Sequence, residues 1–141
     1  MSTTLKFYRC DICGNLAELI EASGVSMVCC GQDMTELVPN TVDASVEKHV
    51  PVVTKLDKCV CGCACDCDCD CCIQVDVGSD PHPMTAEHHI SFIVVECESG
   101  AKRKALAVGD APSVKFCCCD DKAVAVYAYC NLHGLWKADV A

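Results

Sequence analysis

The sequence predicts an all-β chain in two parts, a small cysteine-stapled module over 1–38 and a β-sandwich over 39–141. Three observations carry that prediction. Two cysteine pairs fall within the first segment, a series of short Val-, Ile- and aromatic-rich segments bounded by Gly, Pro, Asp and Ser follows, and no convincing helical period interrupts it. A length of 141 residues accommodates a metal-closed module joined to a sandwich of about 100 residues.

In the first part, CDIC (Cys10 and Cys13) and CC (Cys29 and Cys30) flank small and polar residues. So short a segment cannot hold a core by burial alone, and a metal closing the loop supplies the missing stability. PNTVDAS, at 39–45, reads as a linker because it combines proline and asparagine with small polar residues. Beyond it, HVPVVTKL, CIQVDV, HISFIVVEC, SVKFCCC and KAVAVYAYC are the candidate strands. In the last of these, a period of two puts Val124, Val126, Ala128 and Cys130 on one face and Ala125, Tyr127 and Tyr129 on the other.

Between the first two candidate strands lies a low-complexity insertion, 58–72, with cysteine at every second position from Cys59 to Cys71 and then at Cys72. Extended, it presents its alternating thiols on one face; coiled, it wraps them around soft metal, with Asp66, Asp68 and Asp70 adding anionic character. The alternative is an unstructured, oxidation-prone hairpin tip that leaves the sandwich undisturbed.

The chain contains 17 cysteines. MSTTLKFYRC lacks the charged start and apolar stretch of a signal peptide, and no run of about 18 apolar residues occurs. The expectation is a soluble cytoplasmic protein whose reduced thiols serve as metal ligands or redox groups rather than bridges. A net charge of -9 and a pI of about 4.8 argue against a nucleic-acid partner, which needs a basic stripe. They also make the global field unfavourable to an anionic substrate, so anion chemistry requires a local positive patch.

Cys10 and Cys13 form a CxxC whose tight turn aims two sulfurs at one ion, with Gly14 supplying conformational freedom; Cys29 and Cys30 complete four thiolates. A closed tetrahedral sulfur site suits zinc or iron, and donor chemistry alone does not choose between them. Zinc ribbons normally repeat CxxC, whereas this chain has an adjacent pair. LKFYRCDICGN followed by CCGQDM resembles the desulforedoxin module, a small rubredoxin-like iron site. That resemblance implies that Cys10, Cys13, Cys29 and Cys30 bind iron for one-electron transfer.

EKHVP supplies His49, PHPM supplies His82, AEHHI supplies His88, and YCNLHG supplies Cys130 and His133. Four imidazoles and a thiolate suit ferrous iron, and five protein ligands leave one octahedral position open for chemistry. Such a centre carries a formal charge of about +1 and attracts a small anion. Thiolate donation favours reduction of an oxygen species. EKHVPVV, GSDPHPMTAEHHI and CNLHGLWK resemble the neelaredoxin domain that carries the catalytic iron of superoxide reductases.

Together the two parts resemble a desulfoferrodoxin, which implies an immunoglobulin-like sandwich, two iron ions per chain and a homodimer. By the same resemblance His49, His82, His88, Cys130 and His133 hold the second iron, Lys48 attracts superoxide near the open position, and Glu47 occupies that position after oxidation. The implied activity is detoxification of superoxide by one-electron reduction to hydrogen peroxide without release of dioxygen. It needs an external reductant such as rubredoxin, with the first iron as a relay, and no membrane. The rival is a non-catalytic electron carrier or metal-storage protein, which has no use for a vacant coordination position. His89 falls where the family carries an aromatic residue, and the spacing from His82 selects His88 instead. Cys97, Cys117, Cys118 and Cys119 read as core packing, and Trp136 as a shield for the site.

Overall fold

The computed structural model describes residues 5–56, 72–118 and 121–140. The predicted insertion therefore lies outside the described residues apart from Cys72, which opens a strand. The chain divides into two compact units, Thr3–Val38 and Pro39–Ala141.

In the smaller unit, β1 (Phe7–Arg9) and β2 (Leu16–Glu18) form a hairpin, β3 (Val28–Cys29) and β4 (Gln32–Asp33) form a second, and β5 (Thr35–Leu37) pairs with the free edge of β1. Phe7 and Cys10 are its only fully buried side chains among the described residues. Two residues do not make a hydrophobic core, so the unit depends on what joins its cysteines.

The larger unit begins with a single helical turn, α1 (Val46–His49), and continues through β6 (Pro51–Lys55), β7 (Cys72–Val77), β8 (Ile90–Cys97), β9 (Ala101–Ala105), β10 (Ser113–Cys117), β11 (Ala123–Cys130) and β12 (Gly134–Asp139). One antiparallel sheet has the order β10-β7-β6, the other β12-β11-β8-β9. The chain changes sheet after β7, after β9 and after β10, giving the three-plus-four division of an immunoglobulin-like sandwich. Ile73, Val75, Val114 and Phe116 of one sheet share a core with Ile93, Val95, Val126 and Ala128 of the other. This packing brings the C-terminal end of β11, with Cys130, to the same end as α1 and the segment after β7.

Strand β11 keeps the predicted faces, yet both are buried. Val126, Ala128 and Cys130 enter the core, while Tyr129 stacks on Phe92 at 5.6 Å and the Tyr127 hydroxyl donates to Glu96 Oε1 at 3.4 Å. Strand β9 was not among the predicted segments. AKRKA has little β-propensity, is exposed at all five positions, and owes its conformation to pairing with β8 at the sheet edge, where Lys and Arg discourage further pairing. The linker is also more ordered than its composition suggests. Asn40, at φ 61°, donates through its backbone N–H to Leu135 O and through Nδ2 to Lys137 O, and accepts from Lys137 N–H at Oδ1.

The cysteines outside the ligand motifs divide. Cys97 and Cys118 lie buried between the sheets with their Sγ atoms 3.5 Å apart, and burial pushes Cys97 up to about 12 and raises Cys118 as well. Cys117 is half-buried opposite Cys72 in the β10–β7 register, and Cys119 lies outside the described residues.

Candidate metal centres

The four thiols of the smaller unit converge because two turns redirect the chain. After β1, Gly14 (φ 80°) closes a turn in which its N–H donates to Cys10 O at 2.9 Å and Cys13 N–H reaches Cys10 Sγ at 3.5 Å. In the β3–β4 hairpin, Cys30 takes a left-handed φ of 53° and Gly31 follows at 77°. Neighbouring residues of an extended strand face opposite ways, so this left-handed residue is what lets Cys29 and Cys30 turn toward one point.

All four Sγ atoms lie within 4.8 Å of one another, with Cys13 to Cys29 at 3.6 Å and Cys29 to Cys30 at 4.0 Å. A tetrahedron with metal–sulfur bonds of about 2.3 Å has edges of roughly 3.8 Å, so the cage fits an ion of that kind. Its proton affinities are already unequal. The Cys13 backbone N–H, as the largest cause, lowers Cys10 to about 6, whereas hydrogen bonding with the Cys13 thiol raises Cys29 and pushes Cys30 up to about 12.

In the larger unit, α1 presents His49, the segment after β7 presents His82 and His88, the end of β11 carries Cys130, and the β11–β12 turn carries His133. The donor atoms of His49, His82, His88 and Cys130 lie within 4.8 Å of one another. His133 joins them through Nδ1, which is 3.1 Å from His49 Nε2 and 3.8 Å from Cys130 Sγ. Ring centroids follow one another in the order His49, His82, His88, His133 at 4.8, 4.5, 5.0 and 4.8 Å, each pair near perpendicular, while the diagonal from His49 to His88 is 6.0 Å. Four imidazoles at the corners of a quadrilateral, with a fifth donor at Cys130, match a square-pyramidal set.

Ring orientation is fixed from behind. His49 Nδ1–H donates to Ser45 O at 2.6 Å and His82 Nδ1–H to Pro83 O at 2.7 Å, which leaves each Nε2 lone pair directed into the cluster. The Nε2 atoms of His82 and His88 are buried without a hydrogen-bond partner. Buried nitrogens are rarely left so, and an ion accepting their lone pairs accounts for the arrangement. Trp136 stacks on the His49 ring at 4.9 Å and donates from Nε1 to the His133 backbone carbonyl, so it packs directly against the cluster.

Comparison with known proteins follows this division. Residues 41–139 match the desulfoferrodoxin family and residues 2–37 match the desulfoferrodoxin N-terminal domain. The chain belongs to the desulfoferrodoxin family. It is 39% identical to the desulfoferrodoxin of Nitratidesulfovibrio vulgaris over 139 residues, 99% of each chain. It is 31% identical to the superoxide reductase of Pyrococcus horikoshii over 108 residues, 67% of this chain and 86% of that one. The crystal structure of the superoxide reductase from Treponema pallidum is similar with a TM-score of 0.74 and 32% identity, covering 97% of this chain and all of that one.

Within this desulfoferrodoxin fold, Glu47 and Lys48 occupy the exposed side of the turn that carries His49. Ser45 Oγ donates to Glu47 Oε2 at 3.1 Å, and the Glu47 backbone N–H and this hydroxyl hold its carboxyl below the usual range. His89 points away from the cluster, with Nδ1–H donating to Thr85 O.

Asn131 had no role in the sequence reading, although it adjoins Cys130. Its Oδ1 accepts from His89 N–H at 2.8 Å, its Nδ2 donates to Glu87 O at 3.0 Å, and its own N–H donates to His89 O at 3.2 Å. Asn131 thus fastens the His88 segment to the end of β11. Asn131→Ala is expected to weaken iron retention roughly 10- to 100-fold, as loss of a ligand-orienting residue does, and competition with a chelator measures this directly.

Burial, as the largest cause, lowers His49 and His88 from 6.5 and takes His82 down to about 4. In the metal-free chain, the unfolded state takes up protons below pH 6.5 that the folded state refuses, so stability falls with pH until His82 itself titrates near 4. Thermal denaturation of metal-free protein between about pH 7 and 4.5 is expected to show a falling Tm, with a shallower slope in His82→Gln.

Proposed function

We propose that the chain is a superoxide reductase, reducing superoxide by one electron to hydrogen peroxide at the His49, His82, His88, Cys130 and His133 centre. A second iron is held by Cys10, Cys13, Cys29 and Cys30. The observation that carries this reading is the convergence of four imidazole nitrogens and one buried thiol, with two of the nitrogens otherwise unpartnered.

Bound by these donors, ferrous iron supplies the electron that superoxide gains. The residues prepare the site for it. Burial keeps His49 and His82 neutral against the opposing pull of the Ser45 and Pro83 carbonyls, which turn the rings. Burial raises the Cys130 thiol while the N–H groups of Leu132 and His133 favour its anion, so a cation in the cluster displaces its proton. Lys48, exposed beside His49, gives an otherwise acidic chain a local positive field, and the protons for peroxide come from water or a nearby group. Glu47, on the same turn, would be the residue to fill the open position of the centre.

A rubredoxin-like donor restores the reduced state, with the four-cysteine iron as relay, and the working form is a cytoplasmic homodimer. Among the described residues no helix is long and apolar enough to cross a membrane. Anaerobic mixing of reduced, iron-loaded protein with superoxide tests the reading. Rapid oxidation with peroxide formed, no dioxygen, and loss of both signals in His49→Ala is expected. Slow oxidation indifferent to His49 would overturn it in favour of an electron carrier.

A further inference from the structure

The turn that carries Glu47, Lys48 and His49 is too short to hold its own position, since it is a single turn closed by Val50 N–H to Val46 O, with Lys48 N–H donating to Ser45 O at 3.3 Å. The segment after β7 holds it instead. Gly78 N–H donates to Val50 O at 3.2 Å, Asp80 N–H donates to Glu47 O at 2.9 Å, and Ser79 Oγ donates to the same oxygen at 3.3 Å. Gly78 lies against α1 so closely that a Cβ there would stand 2.6 Å from Glu47 O and 2.8 Å from the Lys48 carbonyl carbon, besides 2.4 Å from Asp80 O. Its φ of 84° is in the region that a side chain disfavours. All three obstructing atoms are backbone, so none of them can rotate aside.

We propose that Gly78, with the Ser79 and Asp80 bonds to Glu47 O, is a positioning residue that sets where Lys48 and Glu47 stand on the turn that carries His49. This rests on the superoxide reductase reading above. Any side chain at 78 displaces the carbonyl of Glu47, breaks the two bonds converging on it, and swings the charged face of the turn. The effect on superoxide passes through Lys48, whose field acts on the approaching anion. It follows that removing Lys48 first should leave Gly78 little more to lose.

The test compares Gly78→Ala, Ser79→Ala, Lys48→Ala and the Gly78→Ala/Lys48→Ala double variant, each as the iron-loaded full chain. Gly78→Ala is expected to slow superoxide reduction roughly 10- to 100-fold, the scale of a misplaced positioning group. Its rate should lose ionic-strength dependence as in Lys48→Ala, and the double variant should be no slower than the slower single one. Ser79→Ala adds no volume and should move the rate and its salt dependence the same way by less, which keeps a measurement in hand if Gly78→Ala does not fold. Amide exchange at Asp80, read by mass spectrometry, should accelerate in Gly78→Ala. Additive rate losses with unchanged salt dependence, or Asp80 exchange as in the wild type, would overturn the proposal. If the wild type itself leaves superoxide unreduced, the enzymatic reading falls alone and Asp80 exchange still decides whether Gly78 holds the turn.

Discussion

Cys130→Ser is expected to remove the thiolate-to-iron absorption of the second centre and to slow superoxide reduction by at least about 100-fold, since a ligand counts for no less than its orienting partners. Cys130 is wholly buried at the end of β11, so no other thiol is at hand to substitute among the described residues near the cluster. A serine hydroxyl has nearly the same shape but holds its proton far more firmly and donates less electron density when it does bind. The fold should survive, because the inward neighbours of Cys130 on β11, Val126 and Ala128, keep their contacts. Visible absorption and stopped-flow mixing with superoxide decide the matter. A variant that kept both band and rate would remove Cys130 from the centre.

Removing the ion from the four-cysteine cage should have the largest structural effect. Only Phe7 and Cys10 are buried among the described residues of that unit, whereas a structural metal in a cage of this kind contributes about 10–16 kcal/mol of binding free energy to folding. Cys13→Ser, or chelation at a mildly acidic pH, is expected to abolish amide protection over 5–38. Protection of β7, β8 and β11, which draw on their own core, should persist. Persistence of protection at Phe7 and Cys10 in the ion-free protein would mean that the short strands hold themselves.

What the sequence disclosed and what it hid separate along physical lines. Strands with a buried face announce themselves through Val, Ile and aromatic residues, so β6, β7, β8, β10 and β11 were legible, while β9 and β12 were not among the predicted strands. In β9 the backbone pairs although AKRKA has no apolar face, and a partner strand is invisible to local composition. The four cysteines of the smaller unit stood out by their ligand spacing, whereas the histidines and Cys130 stood out only through the resemblance of their motifs to the neelaredoxin domain. The groups that aim those donors were not legible. Ser45 and Pro83 act through main-chain oxygens that every residue possesses, Asn131 looks like any turn asparagine, and Gly78 matters for an atom it lacks. Trp136 was expected beside the site, and its stacking on His49 depends on a fold-level approach of α1 to β12.

An enzyme rich in thiols that manufactures an oxidant must survive its own product. Peroxide attacks the thiolate and not the thiol, so vulnerability scales with the ionised fraction. Burial pushes Cys97 up to about 12 and raises Cys118 as well, so both stay largely in the thiol form at neutral pH. Two sulfurs 3.5 Å apart would otherwise be well placed to join as a disulfide and cross-link the two sheets. Enclosure between the sheets disfavours the thiolate that such a reaction needs, so the sandwich that builds the reactive centre at one end guards the sulfurs of its interior.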